Sequence, residues 1–241
     1  MIFLKDEEIK ICTDLAMTNE DTNFPVENIQ NNIIANYARA SANTTTISGT
    51  VSNNSTAIAI VGHNLTSATG TASLKLYDGV TLQDTINLTI ADIIVYVNIN
   101  EIYDNFELIL SDSSLSEILI GKVILGDYIE PTVNSLVDFS VNYIRTDKVF
   151  ENETGQKYTS EGIEKRAFSY SFPKQSLSDS QALRTFYRAV GRHEGFIFMN
   201  FNTDLGVDIL LPCFVMFTSD IEYQFSKFAK NSYKINMEEA K

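Results

Sequence analysis

The chain has 241 residues, which is enough for one large domain or two small ones. Its 44% hydrophobic and 20% charged residues are typical of a folded globular protein and exclude collagen, coiled coil and wholesale disorder. The formal net charge of −13 repels polyanions, so we expect neither nucleic acid nor an acidic membrane as a partner.

The first residues, MIFLKDEEIK, reach Asp6 and Glu7 after only a short apolar run. A signal peptide needs a basic start and a longer apolar stretch, so we predict no export signal. The longest stretch without Asp, Glu, Lys or Arg, residues 40–74, is rich in Ser, Thr and Asn, whose polar groups do not suit lipid. The sequence therefore predicts no membrane segment.

Charge and aromatic residues divide the chain near Pro131. Residues 1–130 carry 5 basic residues, 17 acidic residues and 8 Phe plus Tyr. Residues 131–241 carry 13 basic residues, 14 acidic residues and 18 Phe plus Tyr. Pro131 has no amide proton for a sheet and biases Glu130 toward an extended conformation. We predict two domains, 1–130 and 131–241, with almost all the excess negative charge in the first.

Apolar residues alternate along the first domain. This period of two predicts half-buried strands around Ile58 and Ile60, Ala72 to Leu76, Ile86 to Ile90 and Phe106 to Leu110, with final strands at residues 117–120 and 122–125. Turn residues separate the strands at short intervals. The pattern favours a mainly β fold that starts with an antiparallel β-sandwich rather than a parallel sheet.

The second domain mixes strands with one helix. Strands are predicted at residues 138–143, 167–172, 196–198 and 210–216, and the alternating series Ile221 to Phe225 and Tyr233 to Met237 predict a hairpin. Ser178 and Gln181 have the spacing of a capping box, and Gly191 supplies a left-handed stop. Between them one apolar face is predicted, made of Leu183, Phe186, Tyr187 and Val190. The second domain is therefore predicted to be a smaller α+β domain.

No arrangement of catalytic residues is recognisable. Cys213 lies in an apolar run, and Cys12 in a similar setting, so both are predicted to be inert thiols. His63 and His193 are the only imidazoles, and neither accompanies a serine elbow or a paired cysteine. The four residues share no ligand spacing, so we predict no catalytic residue, no cofactor and no metal.

Pairs of carboxylates leave one enzymatic alternative open. A glycosidase needs two carboxyl groups about 5 to 10 Å apart in a cleft, and the sequence alone allows this for Asp104 with Glu107 or for Asp204 with Asp208. Nothing near these residues marks one of them for a raised pKa. A solvated position is the more economical interpretation, and we expect that the protein is not an enzyme.

A basic stripe follows the predicted helix on the side opposite its apolar face. Arg184, Arg188 and Arg192 recur every four residues in an otherwise acidic protein. The stripe is either a solvated helix face or a docking surface for an acidic neighbour, such as the first domain of another copy. The candidate interaction residues are these three arginines together with the aromatic residues Phe196 and Phe198 of the following strand.

Several segments resemble structural proteins from the tails of long-tailed bacteriophages. The likeness to their N-terminal galactose-binding-like sandwich (jelly roll) rests on Phe24-Pro25-Val26-Glu27-Asn28, Tyr37-Ala38-Arg39-Ala40, Ala59-Ile60-Val61-Gly62-His63-Asn64-Leu65 and Ile118-Leu119-Ile120-Gly121-Lys122-Val123-Ile124-Leu125-Gly126. The likeness to the C-terminal part of distal-tail or tail-tip proteins rests on Arg166-Ala167-Phe168, the helix, and Gly191-Arg192-His193-Glu194-Gly195-Phe196-Ile197-Phe198.

The resemblance implies a structural virion protein that forms a ring at the tail end and connects the tail tube to the hub or fibres. Its implied partners are other copies of itself and the tube, hub and fibre proteins, and its implied location is the phage tail, assembled in the host cytoplasm. The second domain would then serve oligomerisation and tail docking. A carbohydrate- or receptor-binding module at the tail tip is the alternative, although the first domain has few aromatic residues for a sugar.

Overall fold

The structure is a computed structural model that describes residues 2–52, 54–131, 138–151, 153–154, 156–199, 212–225 and 231–240. Within them lie an α-helix, α1 (Leu177–Val190), and two short 3-10 helices, Ile9–Ile11 and Val26–Gln30. The strands are β1 Ile2–Leu4, β2 Ala16–Met17, β3 Ala38–Ala40, β4 Thr44–Thr50, β5 Ala57–Val61, β6 Gly70–Asp78, β7 Thr81–Leu88, β8 Ile93–Val97, β9 Asn105–Asp112, β10 Ile118–Ile120, β11 Lys122–Gly126, β12 Tyr128–Ile129, β13 Asp138–Arg145, β14 Lys148–Glu151, β15 Lys157–Ser160, β16 Glu164–Gln175, β17 Phe196–Met199, β18 Cys213–Phe217, β19 Glu222–Phe225 and β20 Asn231–Glu239.

Contacts within the chain group these elements into two units. The first unit comprises Met1–Glu130 and Phe196–Cys213, and the second comprises Pro131–Gly195 and Phe214–Lys241. Every strand pair whose register is described is antiparallel. The predicted mainly β fold, a sandwich followed by an α+β part with one helix, is confirmed.

The first unit contains an antiparallel β-sandwich. One sheet has the strand order β2-β4-β9-β6-β7, and the other side of the sandwich is built from β11-β5-β8 and the pair β10-β3. Side chains from both sides, such as Leu74 and Leu108 on one and Ile60 and Val123 on the other, form one buried core. The alternation that predicted β6 is observed as alternating burial, whereas β5 is buried at all five positions, so both of its faces are covered.

A second group of strands in the first unit joins distant parts of the chain. Strand β1 pairs with β12 on one side and with β17 on the other. Phe3 is directly opposite Phe198, and their ring centroids are 5.4 Å apart. Strand β17 therefore packs with the first unit although it begins 65 positions after residue 131.

The second unit is built around a long antiparallel sheet. The order is β18-β20-β16-β13, and β19 also pairs with β20. The hairpin predicted from Ile221 to Met237 is observed as β19 and β20. The strand predicted at 210–216 is observed from Cys213 onward, while residues 210 and 211 lie outside the described residues.

A two-stranded ribbon extends from this sheet, and we call residues 143–163 the arm. Strands β13 and β16 pair from Asp138↔Ser171 to Arg145↔Glu164, and β14 and β15 continue the pairing from Lys148↔Ser160 to Glu151↔Lys157. Strand β20 pairs with β16 only from Ala167 onward. The nine residues from 143 to 151 would extend about 30 Å at the usual rise of a strand.

Helix α1 begins two residues earlier than predicted. The N-cap is Ser176, whose hydroxyl accepts a hydrogen bond from the amide of Asp179 at 3.0 Å, so the expected capping box of Ser178 and Gln181 is wrong. Ser178 lies in the first turn, where its hydroxyl contacts that of Ser176. The predicted stop is confirmed: Gly191 has a φ of 58°, and its amide donates to the carbonyl of Tyr187.

Candidate interaction site

The helix presents its arginines because its other face is held by the second unit. Leu183, Phe186 and Val190 are buried, as predicted, and the rings of Phe186 and Phe217 meet edge to face at 6.4 Å. Tyr187 is half-buried, and its hydroxyl donates to an Asp220 carboxylate oxygen at 2.5 Å. These contacts fix the rotation of the helix about its axis.

Arg184, Arg188 and Arg192 are all exposed. Arg184 and Arg188 lie one turn apart on α1, and Arg192 follows the C-cap. No ion pair between these arginines and an acid is found in the described part of the chain. The structure thus places Arg184 and Arg188 on one exposed helix face, and the role of the three arginines in interaction stays a prediction.

Phe196 and Phe198, the other two candidate interaction residues, are 0% and 1% exposed. Their rings pack on Phe3, at centroid distances of 6.2 and 5.4 Å. This burial leaves no ring surface for a neighbouring protein. The two residues stabilise the pairing of β17 with β1, and the aromatic surface that is free to bind lies elsewhere.

That free surface is on the arm. The arm carries six of the twelve large apolar side chains that are exposed among the described residues: Tyr143, Ile144, Val149, Phe150, Tyr158 and Ile163. Phe150 and Tyr158 are directly opposite each other in the ladder of β14 and β15. Every residue of these two strands is exposed, so neither face of the ribbon is covered.

Hydrogen bonds order the arm where its two pairs of strands meet. The amide of Thr146 donates to the Ile163 carbonyl, and the amide of Ile163 donates to the Thr146 hydroxyl at 3.0 Å. A Cβ on Gly162 would stand 2.2 Å from the carbonyl carbon of Thr146, so only glycine fits this approach. The described strands of the arm are paired through their backbones, while six large apolar side chains of the arm are exposed.

One end of the sandwich holds an acidic cleft of about 310 Å³. We call it the acidic cleft, and the lining residues that matter below are Asp14, Thr50, Tyr77, Val80, Asn105 and Glu107. Hydrogen bonds from the Cys12 thiol and from Thr50 lower the pKa of Asp14 to about 2. Glu107 accepts a hydrogen bond from the Tyr77 hydroxyl at 2.8 Å. The cleft is therefore lined by a carboxylate that is ionised at neutral pH.

A second aromatic group lies in residues 24–28 and 37–40, two of the segments that resemble phage tail proteins. The rings of Phe24 and Tyr37 stack at 5.0 Å, and the guanidinium of Arg39 lies 4.2 Å from the Phe24 ring centroid. Arg39 is also bonded to Asp21 and lies 3.6 Å from Glu117. The rings thus contact each other and a paired arginine, an arrangement that stabilises the loop and does not form an open platform for a sugar.

His63 and Asp104, two of the groups that could carry chemistry, each contact a backbone group. Burial lowers the pKa of His63, which favours a neutral ring, and its Nε2 lies 2.8 Å from the Ala91 carbonyl oxygen. Asp104 accepts hydrogen bonds from the Gly79 amide and the Asn105 side chain. Asp204 and Asp208 lie outside the described residues. Among the residues that the structure describes, no cluster of His, Cys, Asp and Glu suits a metal ion.

The two cysteines are expected to resist alkylation in the folded protein. Both are buried, and desolvation raises the pKa of Cys12 to about 11, so little thiolate exists at neutral pH. Mass spectrometry after iodoacetamide treatment at about pH 7.5 should show slow labelling in native protein and complete labelling in urea. Labelling of Cys12 at the rate of the urea control would contradict this assignment.

No α-helix in the described ranges has the length and apolar character needed to cross a bilayer. Helix α1 has 14 residues, and five of its side chains are polar or charged and exposed: Ser178, Gln181, Arg184, Thr185 and Arg188.

Comparisons with known proteins give likenesses of fold only. No protein-family model matches the sequence, and no curated protein matches it either. A fucose-binding module from Streptococcus pneumoniae has 10% identity and a TM-score of 0.41, and the match covers 50% of this chain and 95% of that chain. The family 32 carbohydrate-binding module of C. perfringens NanJ, solved with galactose, has 12% identity and a TM-score of 0.39. That match covers 48% of this chain and 92% of that chain.

A chain from the tail of an empty gene transfer agent particle, with C6 symmetry, is also similar. Its identity is 20% and its TM-score is 0.28, and the match covers 43% of this chain and 75% of that chain. All three TM-scores are below 0.5. These likenesses therefore identify no ligand, partner or function.

Proposed function

We propose that the protein is a structural, non-enzymatic component of a phage-like tail, where copies of it form a ring at the tail end that connects the tube to the hub or fibres. The observation that carries the proposal is the arm. Its described strands are paired and its six large apolar side chains are exposed, which is the expected state of an interface element without its neighbour.

The energetics of a ribbon support this role. An isolated two-stranded hairpin is marginally stable in water, because neither face is buried. Covering Val149, Phe150 and Tyr158, each more than half exposed, would remove enough apolar surface to contribute several kcal/mol, at roughly 25 cal/mol per Å². A neighbouring copy in a closed ring would cover the same face on every protomer.

Replacing Phe150 and Tyr158 together by serine is expected to weaken self-association at least about tenfold, since the pair forms the middle of the exposed ribbon. The melting temperature of the dispersed chain should stay unchanged, because both side chains are exposed. Native mass spectrometry over a concentration series, with rings scored by negative stain, measures the effect. The matched control is Leu82→Ser, an exposed apolar residue of the first unit.

The location is tested on particles. Purified particles labelled on this protein should show the label at the tail end in two-dimensional class averages. Label absent from particles, or a full-length chain that never forms rings at raised concentration, would overturn the proposal.

A carbohydrate- or receptor-binding module is the second candidate. The acidic cleft favours it, because its hydroxyl, amide and carboxylate groups are of the kinds that bind sugar hydroxyls. A glycan array probed with the full chain separates the two candidates: binding of a defined glycan supports this one.

A further inference from the structure

The arginine stripe is a helix face without a partner in the described chain. Arg184, Arg188 and Arg192 are exposed and form no ion pair with a described acid, although the chain has a formal net charge of −13. Arginine is the side chain best suited to interfaces, since its planar guanidinium binds a carboxylate through two parallel hydrogen bonds. The stripe therefore fits an acidic protein surface.

The first unit offers such a surface around the acidic cleft. Asp14 and Glu107 line the cleft. The exposed residues Asp78, at the end of β6, and Asp104, just before β9, lie beside it. These two segments are joined, because the Gly79 amide donates to Asp104 and the Asp104 amide donates to the Tyr77 carbonyl. The acids are thus held at one end of the sandwich.

The cleft also suits the shape of an arginine. Val80 is 99% exposed at its rim, and the Tyr77 ring lines its wall, so the aliphatic part of the side chain has apolar surface to cover. The oxygens of Asp14, Asn105 and Glu107 can accept from a guanidinium, which carries five donors and no acceptor. A lysine would offer one point charge and lose the paired geometry.

We propose that the arginine stripe of one copy docks on the acidic cleft of a second copy. The inference rests on the proposed ring and names the surfaces that meet in it. Each copy carries one stripe and one cleft, so the contact is between different patches and every copy can bind one neighbour on each side. This is the arrangement that a ring requires.

Reversing charge on each surface separately tests the contact in the full chain. The stripe variant is Arg184→Glu with Arg188→Glu, and the cleft variant is Asp78→Lys with Asp104→Lys. Each variant alone should associate at least about tenfold more weakly than the wild type, because like charges then face each other. Native mass spectrometry and light scattering measure the association constant, and wild-type association should weaken when salt is raised from about 50 mM to about 500 mM.

Mixing the two variants gives the decisive result. In an alternating assembly, the glutamates of the stripe variant meet the lysines of the cleft variant, and the unchanged surfaces meet each other. Equimolar mixing should therefore restore association to within about threefold of the wild type. A single chain with all four changes should recover as well. Mixing the cleft variant with the neutral variant Arg184→Gln with Arg188→Gln should give pairs through the unchanged surfaces but no closed rings, because glutamine offers no charge to the lysines.

Thermal melts are the control that shows whether each variant is folded. Asp104 holds the Gly79 amide, so Asp78→Lys alone, which breaks no described hydrogen bond, is the variant that leaves the loop intact and should show the same direction of effect. If the variants melt like the wild type and mixing gives no rescue, or if each variant alone assembles normally, the stripe does not dock on the cleft. In that case the proposed ring is still supported, provided that Phe150→Ser with Tyr158→Ser abolishes the ring.

Discussion

Phe198→Ala is expected to lower the free energy of unfolding of the first unit by about 3 to 5 kcal/mol, whereas Phe150→Ala should change it by less than about 0.5 kcal/mol. The chemical change is the same in both variants. Phe198 is 1% exposed and packs on Phe3, while Phe150 is 56% exposed on the arm. Urea unfolding monitored by tyrosine fluorescence and circular dichroism measures both values.

The same packing makes residues 1–130 dependent on a later segment. Strand β17 pairs with β1 and supplies the rings that cover Phe3, so a chain cut after Glu130 would expose Phe3 and leave one edge of β1 unpaired. We expect this shortened chain to be less stable than Phe198→Ala and to aggregate at concentrations where the full chain does not. Equal urea midpoints for Phe198→Ala and Phe150→Ala would show that β17 contributes little to the first unit.

Local patterns predicted the strands well because each pattern reports on one face of one element. The alternation of Ala72, Leu74 and Leu76 is enough to place β6, and the apolar spacing from Leu183 to Val190 is enough to orient α1. The sequence predicts the N-cap at Ser178 instead of Ser176 because more than one serine precedes the apolar face of the helix. Only the hydrogen bond from the Asp179 amide identifies Ser176 as the cap.

Pairing between distant segments could not be read from the sequence. The apolar run of β17 predicts a strand but not its partner, since any hydrophobic strand could pair with β1. The acidic cleft is beyond local patterns for the same reason, because Asp14, Thr50, Tyr77 and Asn105 come from four separate stretches of chain. In the arm, the apolar residues Val149 and Phe150 stand within a polar stretch of sequence. This pattern is typical of an edge ribbon and of a loop alike, so it does not predict which of the two forms.

Lys122→Met is expected to destabilise the protein by about 3 to 5 kcal/mol near pH 7.5, the usual cost of removing one partner from a buried ion pair. Lys122 on β11 is 1% exposed, and its ammonium lies 3.5 Å from the Asp6 carboxylate and 3.2 Å from the Asn31 carbonyl oxygen to which it donates. Without the ammonium, an ionised Asp6, itself only 4% exposed, loses the opposite charge that favours its ionised form most. The cost should be smaller at about pH 4.5, where Asp6 is protonated.

Asp6 also sets a pH dependence with a defined sign. Burial raises the pKa of its carboxyl from 3.8 to about 6, and Lys122 offsets only part of this effect. Because the folded state holds the proton more tightly than the unfolded state, the stabilising contribution is complete below pH 3.8 and is lost as the pH rises through about 6. The difference amounts to about 2 kcal/mol between about pH 4 and pH 7.

Asp6→Asn isolates this contribution, since an amide does not titrate and every other ionisable group stays in place. Across about pH 4 to 7, the stability of the wild type should fall relative to that of the variant by about 2 kcal/mol, measured by urea unfolding at half-unit steps. Asp14 cannot produce this trend, because hydrogen bonds lower its pKa to about 2 and its contribution is lost only as the pH falls below about 4. Parallel curves for the wild type and Asp6→Asn would mean that Asp6 does not gain a proton in this range, and that its pairing with Lys122 outweighs its burial.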